Sequence, residues 1–190
     1  MPLCRLVYIL PILAIAPLAH ATVSEADAQH LVLDYSITLK AAPATAYANA
    51  VDVAHWWSSE HTYSGDAKNL HLDARAGGCW CEKWQGGSVQ HMSVLSAMPG
   101  KLLRLSGGLG PLQAAALNGT LSFNISQLET GGSEIKVHYV VAGFFPGGLD
   151  KVAGGVDQVL GAQVERLRQL GEGVVPEQKK AEAPAPAKKQ

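Results

Sequence analysis

The stretch GTLSFNISQLETGGSEIKVHYVV, residues 119–141, decides the fold of this chain. Apolar and polar side chains alternate on both sides of the Gly131-Gly132 pair, which predicts two adjacent strands joined by a turn. Successive side chains of a strand point to opposite faces of a sheet, so each of these strands has one apolar face. One face of the sheet is therefore expected to be covered by another element, while the other face meets water.

The covering element is predicted in the segment LDKVAGGVDQVLGAQVERLRQL, residues 149–170. Its apolar residues recur at helical spacing, which predicts a long amphipathic C-terminal helix. They are Leu149, Val152, Val156, Val159, Leu160, Val164, Leu167 and Leu170. Gly154, Gly155 and Gly161 each cost about 1 kcal/mol relative to alanine inside a helix, so open space beside the helix backbone is the expected compensation.

The N-terminal half of the chain supplies the remaining elements. Residues 31–40 alternate and predict a first strand, and two short helices follow, at residues 43–51 and around Trp56 and Trp57. Glycine-containing turns then separate four further alternating segments, at residues 70–74, 79–84, 88–97 and 101–105. The order predicts an α+β domain with a seven-stranded antiparallel sheet and a C-terminal helix.

Residues 1–21 are typical of a secretory signal peptide. Arg5 precedes an apolar run over residues 6–19, and the sequence AHA at 19–21 satisfies the small-x-small cleavage rule. The apolar run is shorter than the ~20 residues of a spanning helix. We therefore expect cleavage after Ala21 and a periplasmic or secreted protein without a membrane span.

The domain is predicted at residues 22–170, and the Ala-, Pro- and Lys-rich residues 171–190 are predicted to be a disordered tail. The domain contains ten Lys and Arg residues against thirteen Asp and Glu residues. A nucleic-acid-binding protein needs a basic stripe to neutralise phosphates, and the ten basic residues form no dense cluster. The charge distribution therefore argues against nucleic acid as a partner.

Three segments carry a resemblance to a known superfamily: VAHWWS at residues 53–58, GGCWCE at 77–82 and PGKLLRL at 99–105. They resemble the SRPBCC superfamily of START and birch-pollen-allergen proteins, and they are most similar to its polyketide cyclase-like and heat-shock ATPase activator-like branches. The resemblance covers about residues 31–170. It implies a helix-grip fold, in which a curved sheet wraps around the last helix and encloses a cavity for an apolar ligand or, in some branches, for catalysis.

The predicted ligand-binding residues are mainly aromatic. Neighbouring residues on a helix point about 100° apart, so one tryptophan of the Trp56-Trp57 pair is expected to anchor its helix to the sheet and the other to line the cavity mouth. The strand at residues 79–84 and the strand at 133–141 contribute the other candidates on their apolar faces. The predicted set is Trp56, Trp57, Trp80, Glu82, Trp84 and Tyr139.

Glu82 and His91 are candidates for proton transfer. A desolvated carboxylate in the cavity would be a general acid, a general base or a hydrogen-bond acceptor for the ligand. Alternatively, Glu82 is a surface carboxylate or a partner of Arg75 or Arg104. The sequence does not decide between these two environments.

The cysteines of the predicted strand leave several alternatives open. A hairpin closing through residues 85–87 would place Cys79, Cys81 and His91 on one face, as in a zinc or copper site. A slip of one residue would instead place His91 opposite Glu82. If they bind no metal, the two cysteines form a disulfide, remain free thiols or serve as packing residues. The main expectation is that the protein binds no metal and no cofactor.

Two functions follow from these features. The first is an exported carrier or sensor that holds a small apolar molecule between the sheet and the C-terminal helix. The second is an enzyme of the cyclase or dehydratase type that uses Glu82 or His91 as a general acid or base. A third role, as a chaperone-activator-like interaction module, fits an exported protein poorly because the periplasm lacks ATP, and the sequence identifies no protein partner.

Overall fold

The structure, a computed structural model, describes residues 22–179. The described elements are β1 (Thr22–Ala26), β2 (His30–Leu39), α1 (Pro43–Val51), α2 (Val53–Trp56), β3 (Leu70–Leu72), β4 (Cys79–Trp84), β5 (Gly87–Met98), β6 (Leu102–Ser106), β7 (Ala116–Gln127), β8 (Ser133–Phe144) and α3 (Ala153–Gly171). Short 3-10 turns lie at Ser59–His61, Ala67–Asn69, Gly110–Ala114 and Leu149–Lys151. The predicted signal peptide and residues 180–190 of the predicted tail lie outside the described residues.

The eight described strands form one antiparallel sheet in the order β1-β2-β8-β7-β6-β5-β4-β3. The prediction of seven strands was wrong by one, because it did not include β1, which pairs Val23 with Leu33 and Ala26 with Leu31. The sequence TVSEA of β1 is largely polar and forms an exposed sheet edge, so it lacks the apolar alternation of the other strands. The α+β architecture, with its C-terminal helix, fits the predicted helix-grip fold.

One face of the sheet carries the core. In β2 the side chains from Leu31 to Leu39 alternate, with every second residue at most 4% exposed and the residues between them on the open side. This alternation continues in β7 and β8, whose inward residues include Phe123 and Val137. The three α-helices found within residues 22–179 pack on this apolar face or against one another.

Helix α3 covers the sheet with the predicted apolar stripe, but it begins at Ala153 rather than at residue 149. Gly148, with φ +95°, leads into a 3-10 turn before the helix. Leu160, Val164 and Leu167 are at most 3% exposed, and burying such side chains contributes about 1.5 to 3 kcal/mol each. The phenol of Tyr35 donates a hydrogen bond of 2.8 Å to Asp157 Oδ1 and fixes the helix to β2.

The chain after α3 returns to the 3-10 turn that follows α2. Gln178 Oε1 accepts hydrogen bonds from the backbone N–H of Ser59 (3.0 Å) and from its hydroxyl (3.1 Å), and Gln178 Nε2 donates to the Trp57 carbonyl (2.9 Å). Arg166 Nη1 donates to the carbonyl of Glu177. Composition predicts that these residues belong to a disordered tail, whereas residues 176–178 lie against the domain.

Among residues 22–179, no helix has both the length and the apolar character needed to cross a membrane.

Candidate functional site

A cavity of about 810 Å³ opens between the sheet and the N-terminal half of α3. The C-terminal half of α3 buries Val164 and Leu167, while Val152, Val156 and Val159 belong to the same apolar stripe and are only partly buried. Their side chains line the cavity. The lining consists of Trp57, His61, Thr62, Tyr63, His91, Leu109, Gly110, Pro111, Leu112, Tyr139, Phe145, Lys151, Val152, Gly155, Val156, Val159 and Leu160.

The glycines near the start of α3 leave room at the cavity wall. A Cβ added to Gly154 or to Gly155 would meet no atom outside the local helix within 4 Å. Of these two neighbours, only Gly155 lines the cavity. The open space that the helical glycines predicted is therefore present beside Gly155.

Tyr139 connects the floor of the cavity to the loop that borders it. Its hydroxyl oxygen accepts a hydrogen bond of 3.2 Å from the backbone N–H of Leu109. The ring lies so close to Gly119 that an added Cβ there would be 2.8 Å from a ring carbon. Burial raises the pKa of Tyr139 to about 12, so its hydroxyl is neutral and carries a proton at neutral pH.

The hairpin of β4 and β5 differs from the predicted one. Its turn contains two residues, Gln85 and Gly86, and Trp84 pairs with Gly87 instead of Ser88. Gly86 adopts φ +101°, a conformation that favours glycine and permits the tighter turn. This register pairs Cys81 with Gln90 rather than with His91.

The same register places His91 on the inner face of the sheet, because it lies two residues after Val89, which is opposite Glu82. The pairing shifts between Cys81, which faces Gln90, and Trp80, which faces Met92. His91 is thus the extra residue of β5, and both it and Met92 are buried. The shift of one residue relative to the predicted hairpin therefore brings His91 to the face of Glu82, and the bulge that follows turns Met92 inward as well.

This register contradicts the alternative metal site formed by Cys79, Cys81 and His91. The two cysteines are joined in a disulfide, with Cα atoms 5.4 Å apart. His91 is directed toward Glu82 in the core, whereas the cysteines alternate with the buried side chains of β4. Within residues 22–179, no group of three His, Cys, Asp or Glu side chains is placed to hold a metal ion.

Glu82 is fully buried and accepts hydrogen bonds from three directions. Its Oε2 atom lies 3.0 Å from the backbone N of Tyr63 and 3.1 Å from His91 Nε2, and its Oε1 atom accepts from the N–H of Ser64. The alternative partners are engaged elsewhere, because the Arg75 side chain contacts Asp73 and the Arg104 side chain contacts Ser122. Glu82 is therefore neither a surface carboxylate nor an arginine partner.

His91 connects this buried carboxylate with the cavity, which it lines. Burial lowers the pKa of His91, while the hydrogen bond and the charge of Glu82 oppose this effect. Its imidazole is therefore neutral at neutral pH. The Nε2 atom faces a carboxylate oxygen that can only accept, so Nε2 carries the ring proton and Nδ1 is an unprotonated acceptor.

The predicted ligand-binding residues separate into two groups. Trp57 and Tyr139 line the cavity, whereas Trp56 and Trp80 are 1% exposed and lie in the core behind it. Trp57 packs edge to face on Trp80, with ring centroids 4.9 Å apart, and its Nε1 donates to the His61 carbonyl (2.9 Å). Glu82 does not line the cavity and is connected to it through its contact with His91. Trp84 lies over Gly87 at the hairpin end and does not line the cavity.

Several lining residues were not in the predicted set. His61, Thr62 and Tyr63 follow α2, and the apolar loop GGLGPL at residues 107–112 closes another side of the cavity. The apolar character of this loop was the sequence signal for that side of the cavity, because loops between strands are usually polar. The spacing of Val152, Val156 and Val159 predicts packing on the sheet, because it cannot distinguish a packed side chain from one that lines a cavity.

The fold has counterparts among solved protein structures. No protein-family model matches the chain, and no curated protein matches it in sequence. An uncharacterized protein from Rhizobium leguminosarum is similar in structure, with 17% identity, a TM-score of 0.55, and coverage of 75% of this chain and 95% of the other. CalU16 from Micromonospora echinospora gives 10% identity, a TM-score of 0.51, and coverage of 84% and 86%.

DynU16, a protein of the dynemicin biosynthetic locus, is a third structure with the same fold. It gives 16% identity and a TM-score of 0.51, and the match covers 76% of this chain but 48% of DynU16. Identities this low carry information about backbone architecture and none about ligands. The chain therefore shares the α+β fold of these proteins.

Proposed function

We propose that this protein is an SRPBCC-type protein that binds one small, mainly apolar molecule in the cavity under α3. The observation that carries the proposal is the cavity itself, with a volume of about 810 Å³ and a wall formed mostly by apolar side chains. Binding pockets for small molecules typically have volumes of about 300 to 1,000 Å³ and combine an apolar wall with few polar groups. The place of DynU16 in a biosynthetic locus is compatible with a small-molecule role for this fold.

The proposed site of action is outside the cytoplasm. Support for export comes from residues 1–21, whose charged start, apolar run and small-residue end are typical of a cleaved leader. A carrier in that compartment would hold its apolar ligand out of water without needing a nucleotide. Mass spectrometry of the protein isolated from its own cells tests this part, because cleavage after Ala21 predicts an N-terminus at Thr22.

Two adjacent glycines provide a matched test of the cavity. We expect Gly155→Leu to weaken binding of N-phenyl-1-naphthylamine, a neutral dye that fluoresces in apolar surroundings, at least tenfold, which is about 1.4 kcal/mol. Gly154→Leu is the control, because it makes the same change in the same helical turn without lining the cavity. Equal effects of both variants, or no effect of Gly155→Leu, would contradict binding in this cavity.

A second candidate is an enzyme of the cyclase or dehydratase type. The observation that favours it is the His91–Glu82 contact, in which a buried carboxylate orients an imidazole whose other nitrogen remains a free base. Both reaction types begin when a base removes a proton from a carbon next to a carbonyl group. The proton would pass to Nδ1, and the electron pair of the broken C–H bond would form an enolate.

Hydrogen exchange tests this candidate without the natural substrate. We would incubate 1-tetralone with the protein in D₂O and follow loss of the signal of the hydrogens next to the carbonyl by NMR. An enzyme would accelerate the exchange over buffer, and His91→Phe would return it to the buffer rate. If saturating wild-type protein exchanges these hydrogens no faster than buffer does, the result counts against the enzyme. The carrier function then stays as the proposal.

A further inference from the structure

The disulfide between Cys79 and Cys81 lies on the face of the sheet opposite the core. In β4 the buried side chains of Trp80 and Glu82 point inward, and the two cysteines alternate with them on the open face. Both cysteines are partly exposed. A thiol in solution can therefore reach the sulfur atoms while the domain stays folded.

The bond contributes little as a cross-link. Its two cysteines are only two positions apart in the sequence. A disulfide stabilises a fold mainly by restricting the unfolded chain, and this effect decreases as the closed loop becomes shorter. In the folded protein, pairing of β4 with β3 and β5 already holds both cysteines in place. The fold therefore gains little stability from this bond.

The strand also does not depend on the bond for its geometry. Cα atoms two residues apart on a regular strand are separated by about 6.4 to 6.8 Å. The β-bulge between Trp80 and Cys81 brings the Cα atoms of the two cysteines to 5.4 Å, close to the usual distance in disulfides. Two free thiols do not need this short distance and also fit a regular strand. Strand β4 therefore accommodates the pair in either redox state.

The two sulfur atoms have different surroundings. Gly77 lies two residues before Cys79, and a Cβ added there would meet no atom within 4 Å beyond the neighbouring residues of the chain. Lys83 lies two residues after Cys81 on the same face of β4, and the exposed His71 of β3 pairs with Cys81. The approach to Cys79 is therefore open, while Cys81 has two longer side chains beside it.

We propose that the Cys79–Cys81 pair is a redox-active site that exchanges its disulfide with dithiols, with Cys79 as the attacked sulfur and Cys81 as the leaving group. A thiolate attacks along the line of the S–S bond, and for Cys79 this line comes from the side of Gly77, where no side chain stands. Cys81 then leaves as a thiolate beside the Lys83 ammonium, and a neighbouring positive charge stabilises a thiolate. The site is separate from the ligand cavity and does not rest on the proposed function.

The exchange takes place in two steps. In the first, a thiolate of the dithiol forms a bond to Cys79 Sγ, and the electron pair of the broken S–S bond stays on Cys81 Sγ. In the second, the other sulfur of the dithiol loses its proton and attacks the first, so that Cys79 leaves as a thiolate. Both cysteines then take up protons. The dithiol is thereby oxidised to a disulfide, and its two electrons reduce the cysteine pair to two thiols.

Reduction of the folded protein tests the inference. We would incubate the protein with increasing concentrations of dithiothreitol, stop the reaction with excess N-ethylmaleimide, and analyse the tryptic peptide of residues 76–83, which contains these two cysteines and no other. We expect the reduction rate to rise in proportion to the dithiothreitol concentration and to stay unchanged by urea below the unfolding transition. The reduced protein should keep its cooperative unfolding transition.

The opposite kinetics would overturn the inference. A structural disulfide opens only when the protein unfolds, so its reduction rate would reach a plateau at the unfolding rate and would increase with urea. Loss of the cooperative transition after reduction would likewise show that the bond is a structural cross-link.

Glutathione, which has a single thiol, traps the first step and tests the direction of attack. Fragmentation of the peptide should locate glutathione mainly on Cys79 and N-ethylmaleimide on Cys81. Lys83→Gln should slow this step about two- to threefold, as expected for the loss of one exposed charge. Lys101→Gln is the matched control, because this exposed lysine lies in the turn before β6. Glutathione mainly on Cys81, or equal rates for both lysine variants, would overturn the assignment of the attacked sulfur.

Discussion

At the scale of single residues, the position of His91 depends on the register of the β4–β5 hairpin. The two-residue turn pairs Glu82 with Val89, so His91, two residues further along β5, lies on the same face as Glu82, and Glu82 then fixes which nitrogen carries the proton. A slip of one residue would leave this side chain on the other face of the sheet. The chemistry available at the cavity wall therefore rests on the length of one turn.

The lowered pKa of His91 predicts a dependence of stability on pH. Above the unfolded pKa of about 6.5, His91 is neutral in both states. Below that pH the unfolded chain binds a proton that the folded chain resists, so the free energy of unfolding falls as pH decreases. Urea unfolding of wild type and His91→Gln between pH 7.5 and 5 should show a steeper decrease in the wild type.

Subtracting the two curves removes the contributions of other groups. His30, whose pKa is raised by its contacts with Glu25 and Asp27, contributes with the opposite sign and does so equally in both proteins. Parallel curves for wild type and His91→Gln would show that His91 titrates alike in the folded and unfolded chains.

The adjacent tryptophans give a second prediction at this scale. Trp56→Ala should lower the free energy of unfolding by about 3 to 5 kcal/mol, because it removes a fully buried aromatic ring. Trp57 is also buried, so Trp57→Ala should destabilise the protein too, in contrast to the expectation for a residue at an open mouth. At a temperature where both variants are folded, only Trp57→Ala should weaken dye binding.

A binding loss in Trp56→Ala as large as that in Trp57→Ala would contradict this division of roles. Helical geometry predicted that only one of the two rings enters the cavity. Trp57, which lies just after α2 and packs on Trp56 with ring centroids 5.5 Å apart, is the one that lines it. The same reasoning could not place Trp80 and Trp84. Both residues lie on the same face of β4, but Trp80 is buried in the core and Trp84 lies at the hairpin end.

At the scale of elements, the segment after α3 supports the cavity from behind. Gln178 forms three hydrogen bonds with Ser59 and Trp57, next to the indole that lines the cavity. We expect Gln178→Ala to lower the free energy of unfolding by about 1 to 3 kcal/mol, at about 1 kcal/mol per lost hydrogen bond. Urea unfolding monitored by tryptophan fluorescence measures this loss.

Glu177→Ala is the matched control. Glu177 contacts Arg166 through its backbone carbonyl, which alanine retains, and its side chain is exposed. Equal stability of the two variants would show that the hydrogen bonds of the Gln178 side chain contribute nothing to the fold.

The elements differ in how well their sequences predict them. The alternation of β2, β7 and β8 and the helical spacing of α3 identified these elements, because burial on one face leaves a periodic pattern. Strand β1 has no such pattern, since it lies at an exposed edge and consists mainly of polar residues. The sequence does not predict the register of the β4–β5 hairpin either, because turns of two and of three residues both fit the glycine pair at residues 86–87.

At the scale of the whole molecule, one helix both packs on the sheet and borders the cavity. Leu160, Val164 and Leu167 are buried in the core, while Val152 and Val156 are partly buried and line the cavity. The sequence predicts the sheet, the covering helix and a cavity between them through the glycines of α3. It does not predict which residues of the stripe border the cavity, because apolar residues occupy both halves of the stripe.

The most direct test of the central claim is an NMR titration of protein carrying ¹³C-labelled Leu and Val methyl groups with 1-methylnaphthalene. Occupation of the cavity predicts saturable shifts and contacts to the probe at the methyl groups of the lining, namely Leu109, Leu112, Val152, Val156, Val159 and Leu160. Exposed methyl groups remote from the lining, at Leu95, Val174 and Val175, should remain unchanged. Shifts that concentrate on these exposed residues, or that never saturate, would contradict a ligand cavity between the sheet and α3.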